Sequence, residues 1–256
     1  MAESLEETRR KIAIACRILA MTDLVKDATG HVSVRIPGTD EMLIRCRGGR
    51  ELGHLFTGVH HIRRTDFDGQ GGDLNETYAS PYEVPIHGEI YRARPEVGAV
   101  IHAHPTYTLL CGLTGVEFRP IFGAYDPSAL RFAIDGVPMF PRSVLVSNKE
   151  IAADLINAMG ESDVVVMKGH GITVAAPTVE VAIDKAIRLE QFARLSWMIA
   201  AAGRHAADLP PDELDGFRPR RGGGERTGWQ ALGGVENWAW DHYVEVLGRD
   251  IGLPDD

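Results

Sequence analysis

The sequence predicts a layered α/β or α+β domain, a sheet flanked by helices. Three observations carry this expectation. Segments with period-two hydrophobicity alternate along the chain with helix-length segments. Helix starts carry capping-box patterns at Ser4…Glu7, Ser80…Glu83 and Ser147…Glu150. At 256 residues and 44% hydrophobic, the chain is long enough to bury a full core in one domain.

Taken in order, the first helix opens at Ser4 and is expected to run to about Val25, with Leu5, Ile12, Cys16 and Leu19 on one side. TGHVSVRIPG (29–38) alternates and ends in Pro-Gly, a strand and a turn. EMLIRCRGG (41–49) reads as one further strand, with Arg45 and Arg47 on one face and Ile44 and Cys46 on the other. Residues 58–80 are polar and glycine-rich, a loop with short strands. Ser80 at the N-cap, Pro81 at N1 and Glu83 at N3 then open a helix that ends near Arg94-Pro95. VGAVIHAHP (97–105) is a buried strand ended by proline, and 106–113 a short helix. The third capping box starts a helix that stops at Gly160. Strands 163–169 and 172–177 flank Gly169-His170-Gly171, and a long helix runs from about Val179 to Ala202, closed by Gly203.

The tail differs in composition. Residues 1–208 form the expected catalytic domain and 209–256 a linker followed by a docking helix. Residues 209–228 are rich in Pro, Gly and Arg, whereas 235–248 hold Trp238, Trp240, Tyr243, Val246 and Leu247. With Trp229 added, this tail is too aromatic for a free linker and is expected to dock on its own or a neighbouring subunit.

Charge and cysteine usage exclude several function classes. A net charge of −9 gives no footprint for a polyanion, so nucleic acid is not an expected partner. Cys16, Cys46 and Cys111 are an odd set with no CxxC pair, which fits reduced thiols and argues against a thiolate metal site. No apolar run approaches the ~18 residues of a membrane span. The N-terminus lacks a signal-peptide core, so a cytoplasmic location with no membrane partner is the default expectation.

The chemistry lies in the histidines. His102 and His104 sit two apart on a strand, so both imidazoles leave the same face, where one metal ion can take both. A catalytic metal site that keeps a position open needs three protein ligands, and His170, between two glycines after a β-rich run, is the best candidate for the third. Glu83 reads, on spacing alone, as a capping residue. His87 is one turn after it and reads as a helix-face residue. The His60-His61 pair is expected to point to opposite sides of an extended chain, a poor chelate, and His54 lies in loop-like sequence.

TGHVSVR (29–35), Glu83 followed nineteen residues later by His102-Ala-His104-Pro, and KGHG (168–171) before a long helix occur together in this order. On these pieces the chain, over about residues 5 to 202, resembles the class II aldolase/adducin family. The resemblance implies a central, mostly antiparallel sheet covered by helices. It implies cyclic homotetramers or higher homo-oligomers with active sites at subunit interfaces. It also implies one catalytic divalent metal ion surrounded by Glu83, His102, His104 and His170. A histidine-rich set with one carboxylate suits zinc, manganese, iron or cobalt.

Two departures bear on the substrate. The sugar-phosphate members typically carry two phosphate-holding serines before the Glu, where this chain has Pro81 and Tyr82, and their Gly-Asn dipeptide reads Gly30-His31 here. Arg45, Arg47 and Arg50, with Phe122-Gly-Ala-Tyr125, resemble the branch that decarboxylates hydroxylated aromatic dicarboxylates; the plain alternative is a solvated basic strand edge. Arginine suits planar carboxylates because its fork bonds two oxygens at once.

The expected function is therefore a metal-dependent lyase that decarboxylates an ortho-hydroxy aromatic dicarboxylate such as a dihydroxyphthalate, in aromatic compound breakdown. Glu83, His31 or an ordered water would supply the proton, and Arg45, Arg47, Arg50, Tyr82 and Tyr125 would bind substrate. The alternatives are an aldolase, epimerase or dehydratase of a sugar or sugar phosphate, and a non-catalytic adducin-like interaction domain.

Overall fold

The computed structural model describes residues 3–217 and 238–254. Its centre is a seven-stranded sheet of β1 (His31–Arg35), β2 (Glu41–Arg45), β4 (Ile62–Asp66), β6 (Ala99–Ala103), β7 (Met139–Phe140), β8 (Val164–Met167) and β9 (Gly171–Ala176), in the order β4-β2-β1-β6-β9-β8-β7. Every pairing in it is antiparallel except β7 with β8. The mostly antiparallel, helix-flanked sheet is thus observed.

Period-two alternation sorts the strand residues into two layers. Val32, Leu43, Ala99, Ile101, Ala103, Ile172 and Val174 bury against α1 (Leu5–Met21) and α6 (Val179–Ala201). Met42, Ile44, Val100, Val165, Met167 and Ala175 enter the opposite layer, with Ile86, Ile90 and Tyr91 of α2 (Val84–Ala93) and Ala152, Leu155 and Met159 of α5 (Lys149–Met159). β6, at the middle of the sheet, is buried along its whole length.

Several elements differ from the sequence reading, each for a local reason. α1 ends at Met21, short of Val25: the Thr22 hydroxyl donates back to the Ile18 carbonyl and Asp23 takes a left-handed φ of 59°. This early stop leaves the Leu24 carbonyl free to accept from the His104 amide. The 41–49 segment is not one strand. It breaks at Cys46, and β3 (Arg47–Gly48) leaves for a separate two-stranded sheet with β5 (Tyr78–Ala79). Gly48 permits this pairing, because a Cβ there would stand 2.0 Å from the Thr77 carbonyl oxygen.

The capping box at Ser4 forms as read. The one at Ser80 does not: the Ser80 hydroxyl donates to the Gly69 carbonyl, and α2 begins at Val84 with Pro85 in its first turn, where a missing N–H leaves no bond unmade. At α5 the cap is Asn148, one residue later than expected, accepting from the Ile151 amide. His60 and His61 do not diverge, because a 3-10 turn over Val59–His61 replaces the extended chain and brings their ring centroids to 4.0 Å.

Beyond the sheet, α3 (Thr106–Thr114) follows His104, and α4 (Pro127–Asp135), unanticipated from the sequence, starts at an Asp126 cap. A short helix α7 (Pro211–Asp215) lies inside the segment read as linker. In α8 (Trp238–Asp250), Trp240 and Leu247 are buried in the α1–α6 layer. Residues 218–237, which contain Trp229, and the side chain of Trp238 lie outside the described residues. No helix among the described residues is long and apolar enough to cross a membrane.

Candidate metal centre

Four segments converge at one end of the central strands. β6 presents His102 to the α2–α5 layer by the alternation that sends Ile101 and Ala103 the other way. Proline at 105 ends the strand, and His104 follows on the same side, its Nε2 2.9 Å from His102 Nε2. His170 occupies the tight turn between β8 and β9: its amide bonds the Met167 carbonyl, and Gly169 takes the φ of 65° that the turn requires. Gly171 is needed for close approach, since a Cβ there would meet the Ala103 carbonyl oxygen at 2.1 Å and the His104 ring at 2.8 Å.

Glu83 closes the group. Its Oε1 accepts from the Val146 amide at 2.7 Å, and its Oε2 faces His102 Nε2 at 3.5 Å and His170 Nε2 at 3.4 Å. A carboxylate committed in this way cannot reach back to the Ser80 amide, which is why the expected capping box stays open.

The arrangement fits a cation. One ligand atom from each of Glu83, His102, His104 and His170 lies within 4.8 Å of all the others. Donors at about 2.1 Å from a common ion stand about 3.0 Å apart at a right angle and about 3.4 Å at a tetrahedral angle, and three of the separations, 2.9, 3.4 and 3.5 Å, lie within 0.1 Å of those limits. Both ring nitrogens of His170 are buried without a hydrogen-bond partner. Orphaned buried nitrogens need an explanation, and a metal ion supplies one.

Electrostatics agree. Burial, then the nearby His104, holds the His102 pKa well below that of a free imidazole. Burial, then His170, lowers that of His104 to about 4. Both rings are therefore neutral near pH 7, the form that offers a lone pair to a metal. The Ile172 backbone hydrogen-bonds His102, which fixes its tautomer.

The other sequence-predicted residues scatter. His31, opposite His102 across the β1–β6 ladder, is buried with its ring centroid 5.0 Å from that of His102. Arg45 does not reach the cluster. It shares the parity of Leu43, so it lies on the α1 side of the sheet, 1% exposed, with its guanidinium on Glu51 at 2.5 Å and near the Thr57 hydroxyl.

Arg47 is exposed, bonds the Ala28 carbonyl, and is close enough to depress the His104 pKa further. Arg50 is exposed. Tyr82, adjacent to Glu83, is 71% exposed; Tyr125 is 76% exposed and contacts Phe122 rather than the cluster. Around the cluster the apolar side chains Tyr82, Leu145 and Leu113 stand open: Leu145 precedes Val146, and Leu113 borders Gly169. A cavity of about 860 Å³ shares no residue with the cluster; Arg131, Lys185 and Arg188 are among its lining.

Sequence reasoning missed a polar line behind the site. His87, fully buried, joins His31 to Ser33, and Ser33 joins Tyr91. Burial lowers the His87 pKa to about 3. The available signal was the i, i+4, i+8 spacing of Glu83, His87 and Tyr91 on one face of a helix.

Fold and site together define a layered α/β protein with a cluster of three histidines and one carboxylate whose geometry fits one cation. The sequence pattern of the Class II Aldolase and Adducin N-terminal domain matches residues 10–197, and the chain belongs to that family. It is 44% identical over 209 residues to a 3,4-dihydroxyphthalate decarboxylase of Arthrobacter keyseri, covering 80% of this chain and 84% of that one. It is 39% identical over 242 residues to a 3,4-dihydroxyphthalate decarboxylase of a Terrabacter species, covering 94% and 97%. Among solved structures it superposes on an aldolase II superfamily protein from Pseudomonas syringae with a TM-score of 0.79 at 20% identity, over 100% of this chain and 98% of that one.

Proposed function

We propose that the protein is a metal-dependent carboxy-lyase that removes CO₂ from an ortho-hydroxylated aromatic dicarboxylate of the 3,4-dihydroxyphthalate class. The observation that carries this reading is an intact Glu83–His102–His104–His170 cluster in a chain 37–44% identical to three 3,4-dihydroxyphthalate decarboxylases. An intact cluster also disfavours a non-catalytic interaction domain.

A divalent cation bound there acts as a Lewis acid toward substrate oxygens, worth several kcal/mol as charge develops on them. The protein's own groups do the rest. Tyr82, Leu113 and Leu145 give an apolar rim for the ring, and the Arg47 guanidinium holds the carboxylate that stays on the product. Glu83, at Oε2, takes the proton of the ortho hydroxyl and delivers it to the ring carbon that bears the departing carboxylate, while Val146 holds its other oxygen. The bond from that carbon to the carboxylate then breaks, CO₂ leaves, and the electron pair passes through the ring toward the ortho oxygen. With Pro81 and Tyr82 in place of serines, the hydroxyl pair that grips a phosphate is missing.

A panel of hydroxylated aromatic dicarboxylates and sugar phosphates, assayed for CO₂ release and aldol cleavage, tests the reading. CO₂ release from a dihydroxyphthalate is expected, with Arg47→Ala raising KM by about 10-fold, as for one lost charge-assisted bond, and lowering kcat less. Cleavage or epimerisation of a sugar phosphate with no turnover of any aromatic acid would reverse it.

We also assign residues 1–208 as the catalytic domain and 209–256 as a linker and docking helix, in a cyclic homo-oligomer. Support comes from Trp240 and Leu247 of α8, buried against the domain, from the Arg17 bond to the Gly252 carbonyl, and from the open apolar rim of a single chain. Light scattering at micromolar concentration should show an oligomer, and removal of 209–256 should lower Tm by several degrees; a monodisperse monomer, or an unchanged Tm, would contradict the respective assignment.

A further inference from the structure

Behind the metal cluster four polar groups form a single buried line. His31 Nδ1 stands 2.6 Å from His87 Nε2, His87 Nδ1 stands 2.6 Å from Ser33 Oγ, and Ser33 Oγ stands 2.7 Å from the Tyr91 hydroxyl. All four residues are buried, in the layer between the sheet and α2. Each contact carries one proton, so fixing the direction of one bond fixes the others.

Tyr91 fixes it. Among the described residues, the one side-chain partner within hydrogen-bond distance of its hydroxyl is Ser33 Oγ, at 2.7 Å. Ser33 is then the one available acceptor for the phenolic proton. The reverse polarity would leave a buried hydroxyl proton unmatched. Tyr91 therefore donates to Ser33, Ser33 donates to His87 Nδ1, and His87 donates from Nε2 to His31 Nδ1. A neutral His31 must then carry its own proton on Nε2, the nitrogen for which no partner is found among the described residues.

We propose that His31 is a neutral Nε2–H donor to a substrate oxygen at the metal centre, and that Tyr91, acting through Ser33 and His87, is the positioning residue that fixes this tautomer. The opposite tautomer would present a lone pair and compete as a further nitrogen ligand. The fixed one instead places a donor, beside His102, where negative charge builds on oxygen as CO₂ leaves. The inference rests on the decarboxylase reading for the identity of that oxygen, though not for the polarity of the line.

The test uses the full chain loaded with diamagnetic zinc and labelled with ¹⁵N-histidine, first without substrate. Nitrogen NMR should show His31 protonated at Nε2 and bare at Nδ1. Tyr91→Phe keeps the ring and removes the terminal donor, and Ser33→Ala cuts the line in the middle. Either should give mixed His31 tautomers at unchanged zinc content, and kcat for CO₂ release should fall roughly 10–100-fold, the usual effect of losing a partner that orients a site residue, with a smaller change in KM. A wild-type proton on Nδ1, or a tautomer indifferent to both variants, overturns the proposal. The spectroscopic result is independent of substrate, so failure of the decarboxylase reading would appear separately, as an absence of CO₂ release with the tautomer intact.

Discussion

His170→Ala is expected to give a folded protein that no longer retains its metal ion. The turn that carries residue 170 is held by the backbone bond to Met167 and by Gly169, neither of which needs the imidazole. Deleting the ring also removes two buried nitrogens that the folded chain leaves without partners, so stability should change little in the apo protein. The cation loses one of four converging donors. Without it the Lewis-acid contribution of several kcal/mol disappears, a fall in turnover of roughly 10³-fold at about 1.4 kcal/mol per decade. Metal analysis beside circular dichroism decides the point, and full occupancy in the variant would sink the three-histidine centre.

Glu83→Gln is expected to separate structure from chemistry. The amide oxygen can still accept the Val146 N–H, at a loss of about 1 kcal/mol for exchanging a charged for a neutral acceptor. Glutamine has no proton to deliver and no charge to place beside His102 and His170, so kcat should fall by roughly 10²-fold or more. Chemical denaturation and steady-state kinetics on one preparation measure both. Normal turnover would return Glu83 to a purely structural role.

The three histidines that the fold brings together were legible in the sequence because their signals are local. A histidine pair two apart before a proline, and a histidine between two glycines, constrain the strand and turn that carry them. Glu83 was legible only by resemblance. Its spacing from Ser80 matches a capping box, and the competitor that defeats that box, the Val146 amide, lies 63 residues away. Arg45 failed for the same kind of reason. Alternation set it on the face opposite Ile44, but which face of the sheet α1 covers is a tertiary fact, and burial there with Glu51 removes it from the site. The break at Cys46 was hidden too, since it depends on β5 arriving beside Gly48 from thirty residues downstream. The line from His31 to Tyr91 joins β1 to α2 across more than fifty residues, so only half of it, the stripe on α2, was written into a local pattern.

The residues of the Glu83–histidine cluster and those proposed to select a substrate belong to different parts of the architecture. His102 comes from the middle strand of the sheet, and His104 and His170 are fixed by strand ends and by glycines that tolerate no side chain. Tyr82, Leu113, Leu145 and Arg47 stand on the rim, exposed and free of core packing. A substitution on the rim can therefore change which oxygen-rich molecule the scaffold admits without touching the strands, turns and glycines that assemble the cluster.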